Sequence, residues 1–590
     1  MPRFRGLYEN VGRAPATTVA ASNAPSYIRN SADYVCDGTA DEVQIQAALT
    51  ANIGRVVLSV GTFTLSDEIA IAAGRSIEGQ GYSTQLAQSV AEKNVFIASG
   101  DNASIRHLRV TGYGTGWVAS DKSNGIYASA VRDLVVESCY LNGFSGCGIQ
   151  LRAVSDVRIL NNILWGNTGS GTESDIITYS SGSTKNRLTI QGNYCLSNNS
   201  QGIFVSAIGF DTDILIADNV CVALNASFAE VALGSLVRRH GIIASYNGGA
   251  SRVSISGNLL RNTQWSGIYV TSDAAVNGPF LIMGNYISDV SLVDSGSGLN
   301  GGIMVVAGGE GDLISGNIIH DVDFGAGIKV EQVASSAVAK TLLTQNIIRG
   351  CVIGIFLTVG PRETEILGNT ILNSTSTDIQ LVQSAGFTGI CNLRILHNRI
   401  IRNNTTSQSI YLDPVAVAST KIVIRSNFLT GFGTGGVAAT NVGIYYRYTS
   451  GLIVKDNTIE NFQTGVYIES YFSGRTFQDI VVDDNFFYTL INGIVVSGVT
   501  TIPVVPFEGN RFETVTNELA GITGAPGVGY IARRLGLTLV LSQAAAPTIG
   551  TWAVGDSVYH TVPTAGGNIG AVCVTAGNPG TWKTFGVIAG

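Results

Sequence analysis

The chain contains few charged residues for its length. Of its 590 residues only 13% are Asp, Glu, Lys or Arg, and the net charge is −7. A nucleic-acid-binding protein concentrates basic residues on one surface, so this weakly acidic composition argues against a nucleic-acid partner. The sequence also lacks an apolar run long enough to cross a membrane, and we expect no membrane partner.

Two further signals are missing from the sequence. Residues 1–21 contain Arg3, Arg5 and Arg13 but no apolar core of a signal peptide. This pattern predicts that no secretion signal is present and that export occurs by another route, such as cell lysis. The 8 cysteines show neither a CxxC motif nor another metal-like spacing, so we predict no metal site and no cofactor.

What the sequence does contain is a repeat. Gly-Asn-Ile-Ile at residues 316–319 is followed by Gly-Ile-Lys-Val at residues 327–330, and the same two-part phrase recurs from about residue 162 to residue 510. Its Asn members, spaced 23 to 39 residues apart, are Asn162, Asn193, Asn219, Asn258, Asn285, Asn317, Asn346, Asn369, Asn398, Asn427, Asn457, Asn485 and Asn510. A period of this length is typical of stacked supersecondary units.

Each repeat predicts short strands. The residues three before and two after the Asn are mostly apolar, as Ile395 and Ile400 are around Asn398. A second run with alternating apolar residues follows after a turn, for example Gly-Ile-Phe-Leu at residues 354–357. Period-two alternation indicates half-buried strands, and the Gly and Asn residues, which tolerate left-handed backbone, mark the corners.

One coil per repeat, with equivalent residues stacked about 4.8 Å apart, describes a parallel β-helix. We therefore predict an all-β fold, a right-handed parallel β-helix over residues 86–515, in which stacked Asn side chains bond one another and the adjacent backbone. A leucine-rich repeat is the alternative, but its Leu spacing and its helical half are missing. Cys195 and Cys221 both follow the Asn by two residues, so we predict that they are small core residues on neighbouring coils rather than a redox pair.

The N-terminal part differs from the repeats. We predict a flexible arm over residues 1–30, then a cap and the first strands over residues 31–85. An open solenoid end exposes its core and its sheet edge, so a capping element is required. The candidate is an amphipathic helix that begins near residue 41, with Asp41 capping its first turn. The residues available for burial on this helix are Val43, Ile45, Ala47, Ala48 and Leu49.

Four short segments in this region carry a resemblance. They are Asp-Gly-Thr-Ala-Asp-Glu at residues 37–42, Ile-Gln-Ala-Ala at 45–48, Gly-Thr-Phe at 61–63 and Ile-Glu-Gly-Gln-Gly at 77–81. Together they resemble the opening of pectate-lyase-like β-helix proteins, which is common in phage tailspikes. The resemblance covers roughly residues 31–85 and implies the fold more specifically than it implies an activity.

The sequence changes character beyond the last repeat. Residues 516–546 are predicted to be a connector and residues 547–590 a small all-β module, in which Trp552 and Trp582 form the core or, alternatively, a ligand platform. The module resembles those at the ends of phage tail spikes and fibres. That resemblance implies a homotrimer, attachment of the N-terminus to a virion tail or baseplate, and a location in the virion or outside the cell after lysis.

The repeat also places candidate functional residues in columns. In the Gly-Ile strand the residue after the Ile is predicted to face outward, where aromatic rings suit stacking on sugars. Two residues further along, carboxylates would supply an acid and a base for glycoside cleavage. The candidate substrate-binding residues are Tyr269, Lys329, Phe356, Tyr411, Tyr445, Arg447 and Tyr467. The candidate catalytic carboxylates of this column are Glu331, Asp413 and Glu469, with packing between subunits or a plain solvated surface as the alternatives.

A second group of candidates follows the Asn corner. Asp289 and Asp321 are predicted to lie on adjacent coils, where two close carboxylates would separate into an acid and a base. His320 is a third candidate catalytic residue, although it would alternatively neutralise the carboxylates. Glu230 and the run Arg238-Arg239-His240 form a third patch, in the longest repeat, which is predicted to be a solvated or subunit-facing loop unless it carries function.

These patterns favour a phage tailspike-like depolymerase that binds and hydrolyses a bacterial surface polysaccharide. A non-catalytic glycan adhesin or structural spike is the alternative, because the aromatic column needs no acid pair to bind sugars. A polysaccharide lyase or epimerase with Lys329 or His320 as base is a third possibility.

Overall fold

A computed structural model describes residues 16–590 apart from 52–53, 115–121, 168–173, 182–185, 199–200, 209–211, 225–229, 233–237, 248–251, 273–278, 295–299, 307–310, 332–339, 359–362, 383–389, 404–407, 415–418, 434–440, 449, 470–477, 498–508, 521–532, 536–537, 544, 549–551, 553, 561 and 578. Half of the predicted arm, residues 1–15, and much of the predicted connector lie outside the described residues. The chain divides into two compact units, Met1–Asn300 and Gly301–Gly590. Among the described residues no helix is both long and apolar enough to cross a membrane.

Each coil contributes three strands. The first strand precedes the Asn, the second follows it directly, and the third begins near the Gly-Ile pair. In the first unit the first strands are Thr17–Ala20, Tyr34–Val35, Arg55–Leu58, Ser76–Glu78, Ser104–Arg106, Val135–Glu137, Val157–Leu160, Asn186–Gln191, Thr212–Ala217, Arg252–Ser256 and Phe280–Met283. The second and third strands of that unit are Gly61–Leu65, Ile69–Ile71, Thr84–Gln88, Phe96–Ala98, Arg109–Thr111, Ile126–Ser129, Tyr140–Asn142, Ile149–Arg152, Ile163–Trp165, Ser174–Ser181, Tyr194–Cys195, Gln201–Ile208, Val220–Val222, His240–Asn247, Leu259–Arg261, Ser266–Ser272 and Tyr286–Val290.

The second unit repeats this arrangement. Its first strands are Asp312–Ser315, Lys340–Thr344, Glu363–Leu367, Ile390–Leu396, Ser419–Arg425, Ser450–Lys455 and Gln478–Asp483. Its second and third strands, which are continuous in several coils, are Gly301–Val306, Ile318–Glu331, Ile347–Thr358, Thr370–Leu372, Thr377–Val382, Arg399–Ile401, Gln408–Asp413, Phe428–Thr430, Val442–Tyr446, Thr458–Glu460, Thr464–Glu469, Phe486–Ser497 and Arg511–Ala520. In each unit equivalent strands of successive coils pair in parallel and in register. The predicted parallel β-helix is therefore confirmed.

The interior of both units is formed by the predicted apolar positions. Ile255, Ile395 and Ile424, three residues before an Asn, are fully buried, as are Ile287 and Ile400, two residues after one. Cys195 and Cys221 are buried and directly paired in register, as predicted for small core residues. Burial of aliphatic side chains between the strands is the main source of stability for such a coil.

The Asn corner is a continuous hydrogen-bonded ladder within each unit. The side-chain oxygen of Asn427 accepts from both the backbone N–H and the side-chain amide of Asn398, at 2.9 and 3.0 Å. The side-chain amide of Asn427 donates to the carbonyl of Ile395 and to Asn457. These bonds confirm the predicted ladder, which satisfies backbone groups that the corner would otherwise leave unpaired.

The structure revises the role of the corner residues. The ladder Asn residues do not have positive φ; the left-handed position is the residue before each of them, such as Gly316 at φ +63° or Asp456 at φ +56°. The Gly of the Gly-Ile pair is required for a different reason. A Cβ on Gly327 would lie 2.4 Å from Cγ2 of Ile348 and 2.8 Å from the carbonyl oxygen of Gly354. This glycine is there because the coils pack too closely for a side chain.

The N-terminal end is covered by the helix Glu42–Ala51, as predicted; within the described part of the chain the other helical segments are Ser26–Arg29 and the 3₁₀ turn Gly81–Ser83. The side chain of Gln46 donates to the carbonyl of Ala70 and accepts from its N–H, which satisfies an edge strand. Three predictions were wrong. Val43 and Ala47 are exposed rather than buried, and the carboxylate of Asp41 accepts from the N–H groups of Gly38 and Thr64 instead of capping the helix.

The C-terminal module is a five-stranded sheet. Its strands, in chain order, are Arg533–Leu535, Thr538–Gln543, Ser557–His560, Asn568–Thr575 and Thr581–Val587. Two of these strands precede residue 547, where the sequence placed the start of the module, because apolar runs inside the predicted connector pair with it. Trp552 and Trp582 pack edge to face at 5.2 Å, with both indoles partly exposed.

Candidate functional site

One column of outward residues runs along the third strands of the second unit. Register pairs join its members on successive coils: Met304, Lys329, Phe356, Gln380, Tyr411, Tyr445, Tyr467 and Val495. This alignment is the one that the repeat predicted. Exposure along the column is uneven, however, because Met304 is 1% and Tyr445 is 7% exposed. The column is therefore a partly covered surface rather than an open stripe.

The three tyrosines of this column form a stack. The ring centroids of Tyr411 and Tyr445 are 5.3 Å apart, those of Tyr445 and Tyr467 are 5.1 Å apart, and the planes differ by 13° and 15°. Both faces of Tyr445 are thus occupied by its neighbours. Stacking of a sugar on that ring, as the sequence suggested, is excluded in this arrangement. The stack instead presents ring edges and hydroxyls.

A row of charged residues lies beside the tyrosines. Asp413, Arg447 and Glu469 occupy equivalent positions on three successive coils. Nη1 of Arg447 is 3.1 Å from Oδ2 of Asp413, and Nε of Arg447 is 3.3 Å from Oε2 of Glu469. One guanidinium therefore bridges the two carboxylates. We call these residues, together with Tyr411 and Tyr445, the tyrosine–arginine cluster.

The tyrosine hydroxyls complete the cluster. Tyr445 donates to Oε2 of Glu469. Tyr411 donates to Oδ2 of Asp413 and accepts from Nη1 of Arg447, both at 3.2 Å. Burial raises the pKa of both tyrosines, and the neighbouring carboxylate raises the pKa of each further. The hydroxyls consequently stay protonated and act as donors.

The guanidinium of Arg447 also stays charged. Burial alone would lower its pKa, but the contact with Tyr411 and the charge of Asp413 outweigh burial and raise the pKa. The side chains of Arg447 and Glu469 are 28% and 32% exposed, and that of Asp413 is 13% exposed. Oδ1 of Asp413 is buried, and no described residue is hydrogen-bonded to it. The cluster thus offers donors and acceptors in fixed positions to a ligand with many hydroxyls.

Two other candidates, Lys329 in the column of the tyrosines and Glu331 in the row of Asp413, form a smaller group on an earlier coil. Nζ of Lys329 is 3.1 Å from Oε2 of Glu331 and 5.8 Å from the ring centroid of Phe356. Thr358 and Val382 separate Glu331 from Asp413 in the register. Glu331 is therefore three coils from Asp413, about 14 Å by the strand spacing, and does not join the tyrosine–arginine cluster.

The residues after the Asn corner are engaged in local ion pairs. In the first unit Asp289 lies 3.3 Å from Nη2 of Arg261, which also contacts Glu230 at 3.1 Å. In the second unit Nδ1 of His320 lies 2.7 Å from Oδ2 of Asp321. Each of the two aspartates thus has a partner within its own unit. Their catalytic role remains a prediction.

Only part of the third patch matches the solvated loop that the sequence favoured, because Glu230 and Arg239 are exposed whereas Arg238 and His240 are buried. Arg238 is fully buried and lies 2.9 Å from Oδ2 of Asp175, which is also fully buried. The second unit holds an equivalent pair, Arg402 and Asp378. The sequence contains an indication of both pairs. Asp175 and Asp378 stand directly before an Ile, where the repeat normally has Gly.

Tyr269 lies in the first unit, apart from the other tyrosines. Its ring stacks on the buried imidazole of His240, with 5.4 Å between centroids and 23° between planes. Ile177 and Ile243, which precede it in the same column, are 2% and 7% exposed. Within the described residues no group of three or more His, Cys, Asp or Glu side chains is arranged to hold a metal ion.

The chain also has matches of low similarity among solved structures. The A-module of mannuronan C-5 epimerase AlgE6 from Azotobacter vinelandii is 14% identical over 67% of this chain and 96% of its own, with a TM-score of 0.35. The catalytic domain of a GH87 α-1,3-glucanase in complex with nigerose is 14% identical over 65% and 67%, with a TM-score of 0.30. PfbA, a surface adhesin of Streptococcus pneumoniae, is 11% identical over 93% and 97%, with a TM-score of 0.30. Sequence identities and TM-scores this low give no information about activity.

No curated protein matches the chain in sequence. The model of the right handed beta helix region, in contrast, matches residues 77–220, 225–400, 277–441 and 394–525. These ranges include both units and nearly all of the coils described above. The chain therefore belongs to the right-handed β-helix family.

Proposed function

We propose that the chain binds a polysaccharide at the tyrosine–arginine cluster of its second unit. The observation that carries the proposal is the row Asp413–Arg447–Glu469, in which one guanidinium bridges two carboxylates and tyrosine hydroxyls hold both. Carboxylates accept hydrogen bonds from sugar hydroxyls and a guanidinium donates to sugar oxygens. The side chains stand on parallel strands, so their spacing is set before a ligand arrives.

The other charged rows of the unit provide a contrast. On the first strands, Arg425 pairs with Asp456 at 2.8 Å, and the two side chains are 55% and 33% exposed. Such pairs form a solvated face and contribute little to stability or recognition. The tyrosine–arginine cluster differs because its charges are less exposed and are bonded to aromatic hydroxyls. This difference makes Arg425 a suitable control for Arg447.

Hydrolysis of the bound polysaccharide is the second candidate function. Asp413 and Glu469 are two coils apart, so their backbones are about 10 Å apart by the strand spacing, and their carboxylates converge on one guanidinium. In an inverting glycosidase one carboxyl protonates the glycosidic oxygen while the other deprotonates a water, across roughly 6.5–9.5 Å. Before Asp413 or Glu469 could act in this way, the substrate would have to replace their contacts with Arg447.

Binding is tested with a panel of bacterial capsular and cell-wall polysaccharides. We expect saturable binding of at least one glycan, at least tenfold weaker binding for Arg447→Gln and for Tyr445→Phe, and unchanged binding for Arg425→Gln. Equal weakening by Arg425→Gln would refute the assignment of the site. Absence of binding to every glycan on the panel would count against polysaccharide recognition itself.

Cleavage is tested on the same glycans. New reducing ends without unsaturated sugars indicate hydrolysis, unsaturated sugars indicate a lyase, and neither product indicates an adhesin. Loss of product with Asp413→Asn and Glu469→Gln, while binding is retained, would assign the acid and base. Full activity in both variants would exclude them as the catalytic pair.

We further propose that the chain assembles as a homotrimer of the tailspike type. The supporting observation is the exposure of apolar residues on the second strands of the second unit: Ile318 and its register neighbour Ile347 are 40% and 44% exposed, and Phe428, three coils beyond Ile347, is 38% exposed. Exposed apolar residues that lie side by side often mark interfaces. Sedimentation equilibrium tests the proposal: a mass three times that of the chain is expected, and a monomer would contradict it. Attachment to a virion tail through the N-terminus stays a prediction.

A further inference from the structure

The first unit contains an aromatic cluster that the polysaccharide site of the second unit does not use. It consists of Arg239, His240, Trp265 and Tyr269, and we call it the tryptophan–arginine cluster. The imidazole of His240 stacks on Tyr269 and meets the indole of Trp265 edge to face, in both cases with 5.4 Å between centroids. The guanidinium of Arg239 lies over the indole, 4.9 Å from its centroid.

Backbone pairing fixes the cluster. His240 and Ser266 are in register on adjacent third strands, so the residues that precede them, Arg239 and Trp265, meet where those strands begin. The N–H of Trp265 donates to the carbonyl of Arg239 at 2.8 Å. Two side chains that start from hydrogen-bonded positions of neighbouring coils can hold a stacked guanidinium and indole with little loss of freedom.

The charge of Arg239 is not compensated by the described part of the chain. Its side chain is exposed, and no carboxylate of the described residues lies within 4 Å of its guanidinium. Two other exposed arginines of the unit are paired: Arg187 contacts Asp156, and Arg252 contacts Asp213 at 2.8 Å. Arg239 therefore presents a fixed positive charge on an aromatic surface, which is the arrangement that binds anions beside an apolar ring.

His240 supplies a second, independent observation. It is 4% exposed, and its Nδ1 is buried without a hydrogen-bond partner among the described residues. Burial, and to a smaller extent the charge of Arg239, lowers its pKa to about 3, so the imidazole is neutral at neutral pH. A buried polar atom without a partner is unfavourable unless something pairs with it. The ring that carries this atom contacts both aromatic members of the cluster.

We propose that the tryptophan–arginine cluster is a second saccharide-binding site, selective for a sugar residue that carries a carboxylate, sulfate or phosphate group. Arg239 pairs with the anionic group, Trp265 and Tyr269 contact the apolar edge of the ring, and His240 exchanges a hydrogen bond with a sugar hydroxyl. The site is distinct from the tyrosine–arginine cluster, which carries two carboxylates for one guanidinium and would repel an anionic sugar. It does not depend on the function proposed for that cluster.

Titration calorimetry on the full chain tests the proposal, with trigalacturonate as the anionic probe and maltotriose as its neutral counterpart. We expect saturable binding of trigalacturonate, at least tenfold tighter than that of maltotriose and weakened by added salt because the contact is ionic. Arg239→Gln should weaken the binding of trigalacturonate at least tenfold. Arg252→Gln removes the same charge from another exposed arginine and should change affinity less than twofold.

Trp265→Leu tests the aromatic part with the charge intact. We expect it to weaken trigalacturonate binding at least fivefold, with a circular dichroism spectrum equal to that of the unsubstituted chain. The proposal is overturned if trigalacturonate does not bind, if maltotriose binds equally well, or if Arg239→Gln has no more effect than Arg252→Gln. A loss of binding with Arg447→Gln would place the anionic site in the second unit and would likewise refute the assignment.

Discussion

Arg402 lies against Asp378 inside the second unit, with 3.4 Å between Nη1 and Oδ2 and with both side chains fully buried. Asp378 also accepts from the hydroxyl of Ser409 at 2.7 Å, and Nη2 of Arg402 donates to the carbonyl of Ser376 at 2.7 Å. In the preceding coil the position of Asp378 is occupied by Gly354. One coil has therefore replaced the usual glycine with a charge, and the corner of the following coil supplies the countercharge.

We predict that Arg402→Met strongly destabilises the second unit. The substitution leaves the carboxylate of Asp378 buried without its countercharge, and breaking such a pair costs about 3–5 kcal/mol. Urea denaturation at pH 7 measures the change in the free energy of unfolding. The matched control is the double variant Asp378→Gly with Arg402→Met, which removes both charges and restores the usual glycine, and should recover at least half of the loss. A double variant that is less stable than Arg402→Met would contradict this account.

The same pair makes stability depend on pH. Burial raises the pKa of Asp378 from 3.8 to about 6, against the opposing charge of Arg402. The folded protein thus holds this proton more tightly than the unfolded chain does. The contribution of Asp378 is complete below about pH 4 and is lost as the pH rises through 6. Relative to Asp378→Asn, which does not titrate, the chain should lose about 3 kcal/mol of stability between pH 4 and pH 7. A constant difference across this range would contradict the shifted pKa.

The sequence predicted the coil and its columns well because both follow from simple periods. Alternation by two residues places Tyr411, Tyr445 and Tyr467 on the same face, and the repeat brings Asp413 and Glu469 beside them. The amino-acid sequence contains this information directly. The candidate residue Glu331 was assigned correctly to the column of Asp413, but the repeat alone does not show where along a column a site begins or ends. Only three-dimensional distances separate Glu331 from the tyrosine–arginine cluster.

The features that the sequence did not predict depend on distances between residues of adjacent coils. Rings on adjacent coils lie about 5 Å apart, which is the separation at which their faces close on one another, so Tyr445 has no free face for a sugar. The partner of Asp378 is 24 residues away in the sequence, and no local pattern links it to Arg402. Val43 was predicted to be buried from helical periodicity, but the helix packs through Ile45, Ala48 and Leu49 and leaves Val43 on its outer side.

The glycine of the Gly-Ile pair gives a steric prediction. A Cβ on Gly354 would lie 2.4 Å from the carbonyl oxygen of Asp378 and 2.7 Å from Cγ2 of Ile371. Gly354→Ala should therefore force the two coils apart and cost about 2–3 kcal/mol in urea denaturation, the upper part of the usual range of about 1–3 kcal/mol for overpacking, because both contacts are far too short. Gly368→Ala is the matched control, since a Cβ added there would have no atom within 4 Å and only the φ of +64° opposes the substitution.

Gly368→Ala should lower the free energy of unfolding only by the penalty for a left-handed backbone at a residue with a side chain, about 1–2 kcal/mol. Gly354→Ala should be the more destabilising of the two variants, although Gly354 has an ordinary φ. If Gly368→Ala were the worse substitution, backbone conformation rather than close packing would explain why the repeat keeps glycine before Ile. Thermal denaturation monitored by circular dichroism would rank the two variants independently of the urea measurement.

Two substitutions of one ladder residue, Asn427, distinguish the contribution of side-chain packing to stability from that of hydrogen bonding. Asn427→Ala removes the acceptor for the N–H and amide of Asn398 and the donor to Ile395, and each buried group left unpaired costs about 1–3 kcal/mol. Asn427→Asp keeps the side-chain shape and the acceptor oxygen. It replaces the side-chain amide with a second oxygen, however, so that two acceptors face each other at the carbonyl of Ile395 and at the side-chain oxygen of Asn457. Both variants should lower the free energy of unfolding by at least about 3 kcal/mol at pH 7. A tolerated Asn427→Asp would show that the ladder is held by packing rather than by its hydrogen bonds.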